Sequence, residues 1–143
     1  SKSALHVFMV EWLLRVLREA CPESRFLVRQ EAPITIGNSE PEPDISVVEG
    51  KLTDYRDQNP KTAKLVIEVA ITTVSVDQAK ADDYARAGIE EYWIVQPKNG
   101  ITEVYRESGD GKYSWRQEFS ADETIKASAF PGFSFRLADA LND

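Results

Sequence analysis

Two residue types that supply cross-links, metal ligands and proton shuttles are almost missing: the chain has one cysteine, Cys21, and one histidine, His6. A lone cysteine cannot close an intrachain disulfide, and no Cys/His cluster exists to hold zinc. Any histidine-centred triad would have to use His6. The thiol count suits a reducing compartment. Positive charge is short as well: 17 Lys and Arg face 24 Asp and Glu, giving −7 and a pI near 4.8. This balance opposes loose adhesion to DNA, RNA or anionic lipid and excludes a generic basic nucleic-acid binder. It leaves room for an enzyme that acts on a phosphodiester, because catalytic metal sites need local carboxylates. Long apolar runs are also lacking. Leu5–Leu17 is interrupted by Glu11 and Arg15, is too short to span a bilayer, and has neither the basic start nor the cleavage site of a signal peptide. A soluble, cytoplasmic protein is the expectation. The chain opens at Ser1 without Met, so further residues are expected upstream.

What is present suffices for one core: 143 residues, 42% hydrophobic and 10% aromatic, a single domain over residues 1–143. No repeat, low-complexity tract or linker interrupts it. Ala4 to Ala20 reads as a helix, since Leu5, Phe8, Met9, Trp12, Leu13, Val16 and Leu17 recur at three- and four-residue steps. Val7, Val10 and Leu14 widen the stripe, and Cys21-Pro22 ends it. Extended runs follow at Arg25–Gln30, Ala32–Ile36 and Asp44–Val48. Gly50 to Thr62 is polar and reads as a loop or short surface helix. Ala63–Ile71 is apolar on both faces except for Glu68, the mark of a strand covered on both sides. Ser75 to Ala87 reads as a second helix, with Ser75 and Gln78 as a capping box and Gly88 as the stop. Glu91–Val95 is a further strand. Ile101–Arg106 and Lys112–Phe119 form a hairpin, Glu123–Ala127 a short strand and Arg136–Leu141 a terminal helix. The order predicts an α/β fold: a mixed central sheet flanked by helices, with a β-rich C-terminal extension.

Glu68 is the most informative residue. A carboxylate in a strand buried on both faces is costly unless paired or bound to a metal, and its own strand offers no partner. The structural alternative is a buried ion pair. Asp44, delivered by Pro43 to the mouth of its strand, is by itself a commonplace turn residue. Beside Glu68 it becomes half of a hard-oxygen site suited to Mg²⁺ or Mn²⁺. Lys80 shares a helical face with Val76, Tyr84 and Ala87 and so is aimed inward, snorkelling being the alternative. Together the three suit metal-assisted phosphodiester hydrolysis, with Asp44 and Glu68 as ligands and Lys80 as the charged helper. Asp77 reads as a charge complementing the helix dipole. His6 and Glu11 read as polar residues near a helix start, Glu31 as an accessory ligand, and Glu40 and Glu42 as solvated approach residues. Tyr92 and Trp93 read as packing residues.

The series Glu42-Pro43-Asp44-Ile45-Ser46-Val47-Val48, Leu65-Val66-Ile67-Glu68-Val69-Ala70, Asp77, Lys80 and Tyr84 through Val95 resembles the Uma2 family of restriction endonuclease-like nucleases over nearly the whole chain. The resemblance implies the PD-(D/E)xK nuclease fold, with Asp44 matching the family's Pro-Asp aspartate and Glu68 its strand glutamate. In the wider superfamily the lysine lies two residues after that glutamate, where this chain has Ala70. The family's lysine stands on the following helix, at Lys80. Ile71 stands where many relatives carry an acid, and a glutamate upstream of Ser1 completes the site in relatives. The reading is a Mg²⁺-dependent endonuclease-like domain acting on DNA, which a chain of this charge binds weakly without metal. The alternative is a catalytically silent module of the same fold that mediates protein association. A two-carboxylate glycosidase fits less well, given the buried strand position of Glu68. In either leading case the wide stripe of the first helix fits a homodimer interface.

Overall fold

The computed structural model describes residues Lys2–Asp143. Helix α1 covers Ala4–Ala20, capped by the Ser3 hydroxyl, which accepts from the His6 amide. Strands β1 (Phe26–Gln30), β2 (Ile45–Glu49) and β3 (Leu65–Val69) follow, with a single 3-10 turn at Leu52–Tyr55 in the polar stretch after β2. Two short helices, α2 (Val74–Gln78) and α3 (Ala81–Arg86), lead to β4 (Glu91–Gln96), β5 (Ile101–Arg106) and β6 (Trp115–Ser120). A separate two-stranded ribbon, β7 (Thr124–Lys126) and β8 (Ser134–Arg136), precedes α4 (Leu137–Leu141). The main sheet runs β1-β2-β3-β4-β5-β6, antiparallel throughout except for the parallel β3–β4 pair. Parallel neighbours need a crossover, and α2–α3 supplies it. No helix among the described residues is long and apolar enough to cross a membrane.

Period-two alternation sorts the side chains of β3 onto two faces. Leu65, Ile67 and Val69 pack with Met9, Leu13, Leu14 and Leu17 of α1 and with Phe130, Phe133 and Phe135 of the C-terminal segment. Val66 and Ala70 pack on the other face with Tyr84, Ile89 and Tyr92. Glu68 lies between Val66 and Ala70 on that second face.

Three local expectations are corrected. Ala32–Ile36 is not a strand. Glu31 adopts φ 49°, which turns the chain out of β1, and Pro33 has no amide to give a ladder. The Ile34 and Thr35 amides instead donate to the Pro41 and Pro60 carbonyls, and only Ile36 bridges to Ser39. The helix expected at Ser75–Ala87 is two helices. Thr73 is the N-cap, no Ser75–Gln78 capping box forms, and the Lys80 amide takes a tight bond to the Asp77 carbonyl. That tightening changes the helical phase, so Val76 is 55% exposed and not on the inward face with Tyr84, which is 1% exposed. The α1 stripe is narrower than expected: Val10 and Leu14 are buried, but Val7 and Phe8 face solvent. Strand β8 has no counterpart in the sequence pattern, since three residues carry too little of it.

Candidate active site

The antiparallel register pairs Ile45 with Ile67, so one step further Asp44 lies opposite Glu68 at the end of β2 and β3. Residues opposite one another in an antiparallel pair project to the same face. The two acids lace the strand ends together reciprocally. The Asp44 amide donates to Glu68 Oε1 at 2.8 Å, and the Val69 amide donates to Asp44 Oδ2 at 2.8 Å.

Glu68 Oε2 accepts from two side chains of the crossover, Lys80 Nζ at 3.0 Å and the Tyr84 hydroxyl at 3.1 Å. Lys80 is shared with Asp77, whose Oδ1 is also at 3.0 Å. The pair is an i,i+3 contact of the kind a helix surface provides, here at the junction of α2 and α3. The Tyr92 hydroxyl donates to the Asp77 carbonyl at 2.7 Å and ties α2 to β4.

The electrostatics are uneven. Burial, and then the charge of Asp44, push Glu68 up to about 7, against the opposing pull of the Asp44 amide and Lys80. Burial likewise raises Asp77, partly offset by Lys80. Burial alone would lower Lys80, but Glu68 and Asp77 outweigh it, and the ammonium is held above its ordinary value. Tyr84 is raised by burial and by Glu68 beside it, so it stays a hydroxyl donor.

All three sequence-predicted residues, Asp44, Glu68 and Lys80, therefore meet at one end of the sheet. His6 is a correction: it is 9% exposed, and its Nε2 lies 3.1 Å from Asp44 Oδ2. A solitary histidine at position three of an apolar helix carries no spacing signal that would have shown this. Asp77 is a correction too, since it pairs with Lys80 inside the cluster and does not merely complement a dipole. Glu31 is exposed and ion-paired with Lys2, whose amine reaches to 3.8 Å from Asp44 Oδ1. Glu40 and Glu42 are exposed, as expected. A cavity of about 480 Å³ lined by Tyr55, Lys61, Lys64 and Glu90 opens at the opposite end of β3 and β4 and contains none of these residues.

Among the described residues, no group of three or more His, Cys, Asp or Glu side chains is arranged to hold a metal ion. Magnesium does not need one, since one or two carboxylates, waters and a substrate phosphate commonly complete its shell. Asp44 Oδ1 has no hydrogen-bond donor among the described residues, Lys2 Nζ lying 3.8 Å away, and a cation would offset the Asp44 charge that adds to burial in raising Glu68. A carboxylate pair is the donor type a hard divalent ion takes.

A mostly antiparallel six-stranded sheet between helices, with acids laced at one end, is a nuclease-like architecture. The chain is similar in structure to a "putative nuclease belonging to DUF820" from Anabaena variabilis, with a TM-score of 0.77 over 99% of this chain and 82% of that one. Identity is 16%, so this likeness speaks to the fold. Residues 1–138 match the Uma2 family, described as "Putative restriction endonuclease", and the chain belongs to that family. No curated protein matches it.

Proposed function

We propose that the chain is a Mg²⁺-dependent endonuclease-like domain that hydrolyses phosphodiester bonds, with DNA as its substrate. The observation that carries this reading is Glu68: a carboxylate 3% exposed, opposite Asp44, and under-neutralised despite a lysine at 3.0 Å. Asp44 and Glu68 would hold the ion, Mg²⁺ or Mn²⁺, whose Lewis acidity polarises the scissile phosphate and activates a water. Tyr84 and the Asp44 amide fix the Glu68 carboxylate, and the Val69 amide and His6 turn Asp44 Oδ2 inward, leaving Oδ1 for the ion. Lys80 is pinned between Glu68 and Asp77 with its side chain 37% exposed. From there its ammonium meets the charge that builds on the phosphate oxygens in the transition state. The overall charge of −7 makes DNA binding weak until a cation offsets it.

The test is nicking of supercoiled plasmid with Mg²⁺ or Mn²⁺. The wild-type chain nicks, Glu68→Ala does not, and equal nicking by both sinks the proposal. One observation favours the rival reading, a silent nuclease-fold module for protein association: both Glu68 oxygens already accept from Asp44, Lys80 and Tyr84. Calorimetry that detects no divalent-ion binding, together with absent nicking, selects that module.

A further inference from the structure

Strand β6 is the last strand of the main sheet, and no other described strand pairs with its outer side. Its central residues Arg116, Gln117 and Glu118 are exposed, while Trp115 and Phe119 are half-buried. An open edge of this kind is a template for another strand unless bulges, prolines or charged side chains guard it, and charges guard only where the incoming strand cannot pair them. Here one charge of each sign flanks a neutral centre. We propose that β6 is the contact surface for a second copy of this chain, joined edge to edge by antiparallel pairing about a two-fold axis through Gln117.

That register sets Arg116 against Glu118 of the second copy, Glu118 against its Arg116, Trp115 against its Phe119, and Gln117 against itself. Opposite-charge and aromatic pairs are the favourable cross-strand classes, each contributing roughly 0.2–1 kcal/mol. Centring the axis on Arg116 or on Glu118 instead sets like charges face to face. The opposite edge lacks this symmetry: folding β1 about Val28 sets Leu27 against Arg29 and Phe26 against Gln30. Arg116 is already oriented, because buried Glu103 accepts from its Nη2 at 2.7 Å. The remaining guanidinium donors are left for other carboxylates. Its own Glu118 lies 3.9 Å away, so two copies would assemble a ring of four alternating charges. A two-fold contact of this type closes on itself and stops at a dimer. It would join the two main sheets into one. The inference does not depend on the nuclease reading.

Sedimentation velocity over a concentration series tests it. The expected result is a monomer–dimer equilibrium that Gln117→Pro abolishes and Glu118→Arg weakens by about tenfold. Circular dichroism melts verify that each variant folds. Position 117 faces its own copy with Cα atoms about 4.5–5.5 Å apart in either kind of antiparallel pair, within disulfide reach. Gln117→Cys on a Cys21→Ser background is therefore expected to give a disulfide-linked dimer under mild oxidation, and Glu118→Cys is not. A chain monomeric at all concentrations overturns the proposal. So does equally good cross-linking by Glu118→Cys, or a dimer indifferent to Glu118→Arg and dissolved by Phe8→Glu, which would place the contact on α1.

Discussion

Glu68 and Glu103 occupy the same row of the same face of one sheet, with only Ile94 of β4 between them. They are equally hidden, at 3% and 2% exposure. Their surroundings are opposite. Glu103 accepts from Gln78, Gln96, Tyr105 and Arg116. Burial would raise it, but those donors overcome burial and hold it below its ordinary value. Glu68 has an amide, a lysine and a tyrosine, but it also has Asp44 opposite it, and it rises to about 7. The difference separates a carboxylate whose charge is fully met by donors from one left in electrostatic tension. Burial raises both; at Glu103 a full set of donors overcomes it, and at Glu68 the neighbouring charge of Asp44 adds to it.

Activity gives the largest contrast. Glu68→Gln is expected to lower plasmid nicking by ~10²-fold or more, as loss of a group acting on transition-state charge does. Glu103→Gln leaves the rate within a few-fold, and equal losses would erase the distinction.

Stability reverses the order. Glu103→Ala strands the Arg116 guanidinium and the Gln96 amide and is expected to cost about 3 kcal/mol in urea denaturation. Glu68→Gln in metal-free protein is expected to be neutral or stabilising above pH 7, because the charge it removes is disfavoured there.

The pH dependence carries opposite signs. Glu68 has a folded value above its ordinary 4.5, so the folded state holds more protons across that window. Its contribution therefore falls as pH rises from about 4.5 to about 7, by a few kcal/mol at most. Glu103 is lowered, so its contribution is present above its ordinary value and lost as pH falls through the folded one. Denaturation of metal-free protein from pH 4 to 8 is expected to give a flatter high-pH limb for Glu68→Gln. For Glu103→Gln, the deficit against wild type is expected to shrink towards low pH. The reverse assignment would overturn the comparison.

The smallest effect is expected for Tyr84→Phe, which removes one hydrogen bond to Glu68 and keeps the ring packed against Tyr92. A loss of about 1 kcal/mol is expected by urea denaturation.

How much of this was legible beforehand depended on the range of the signal. Helix α1 begins and ends where three- and four-residue steps and Cys21-Pro22 place it. The Asp44–Glu68–Lys80 meeting could be anticipated because a charge in a doubly buried strand announces an external partner. Glu103 could not. In the run Ile101-Thr102-Glu103-Val104-Tyr105-Arg106 it alternates as a solvent-facing residue would, and its donors come from α2, β4, β5 and β6. His6 failed for the same reason, its partner lying 38 positions away. Asp77 is an i,i+3 neighbour of Lys80, a contact any helix offers, and the dipole reading overlooked it. The break at Ala79–Lys80 was not legible either. That break follows from a tight Lys80–Asp77 bond, which no propensity at those positions requires.

The reciprocal lacing of Asp44 and Glu68 has an evolutionary reading. Replacing Glu68 alone leaves the Asp44 amide without its acceptor, and replacing Asp44 alone does the same to the Val69 amide. Each acid is thus guarded by the fold as well as by any reaction. A relative without any such reaction is therefore still expected to keep the two acids as a couple. Their joint presence in a chain speaks to the fold as much as to a reaction.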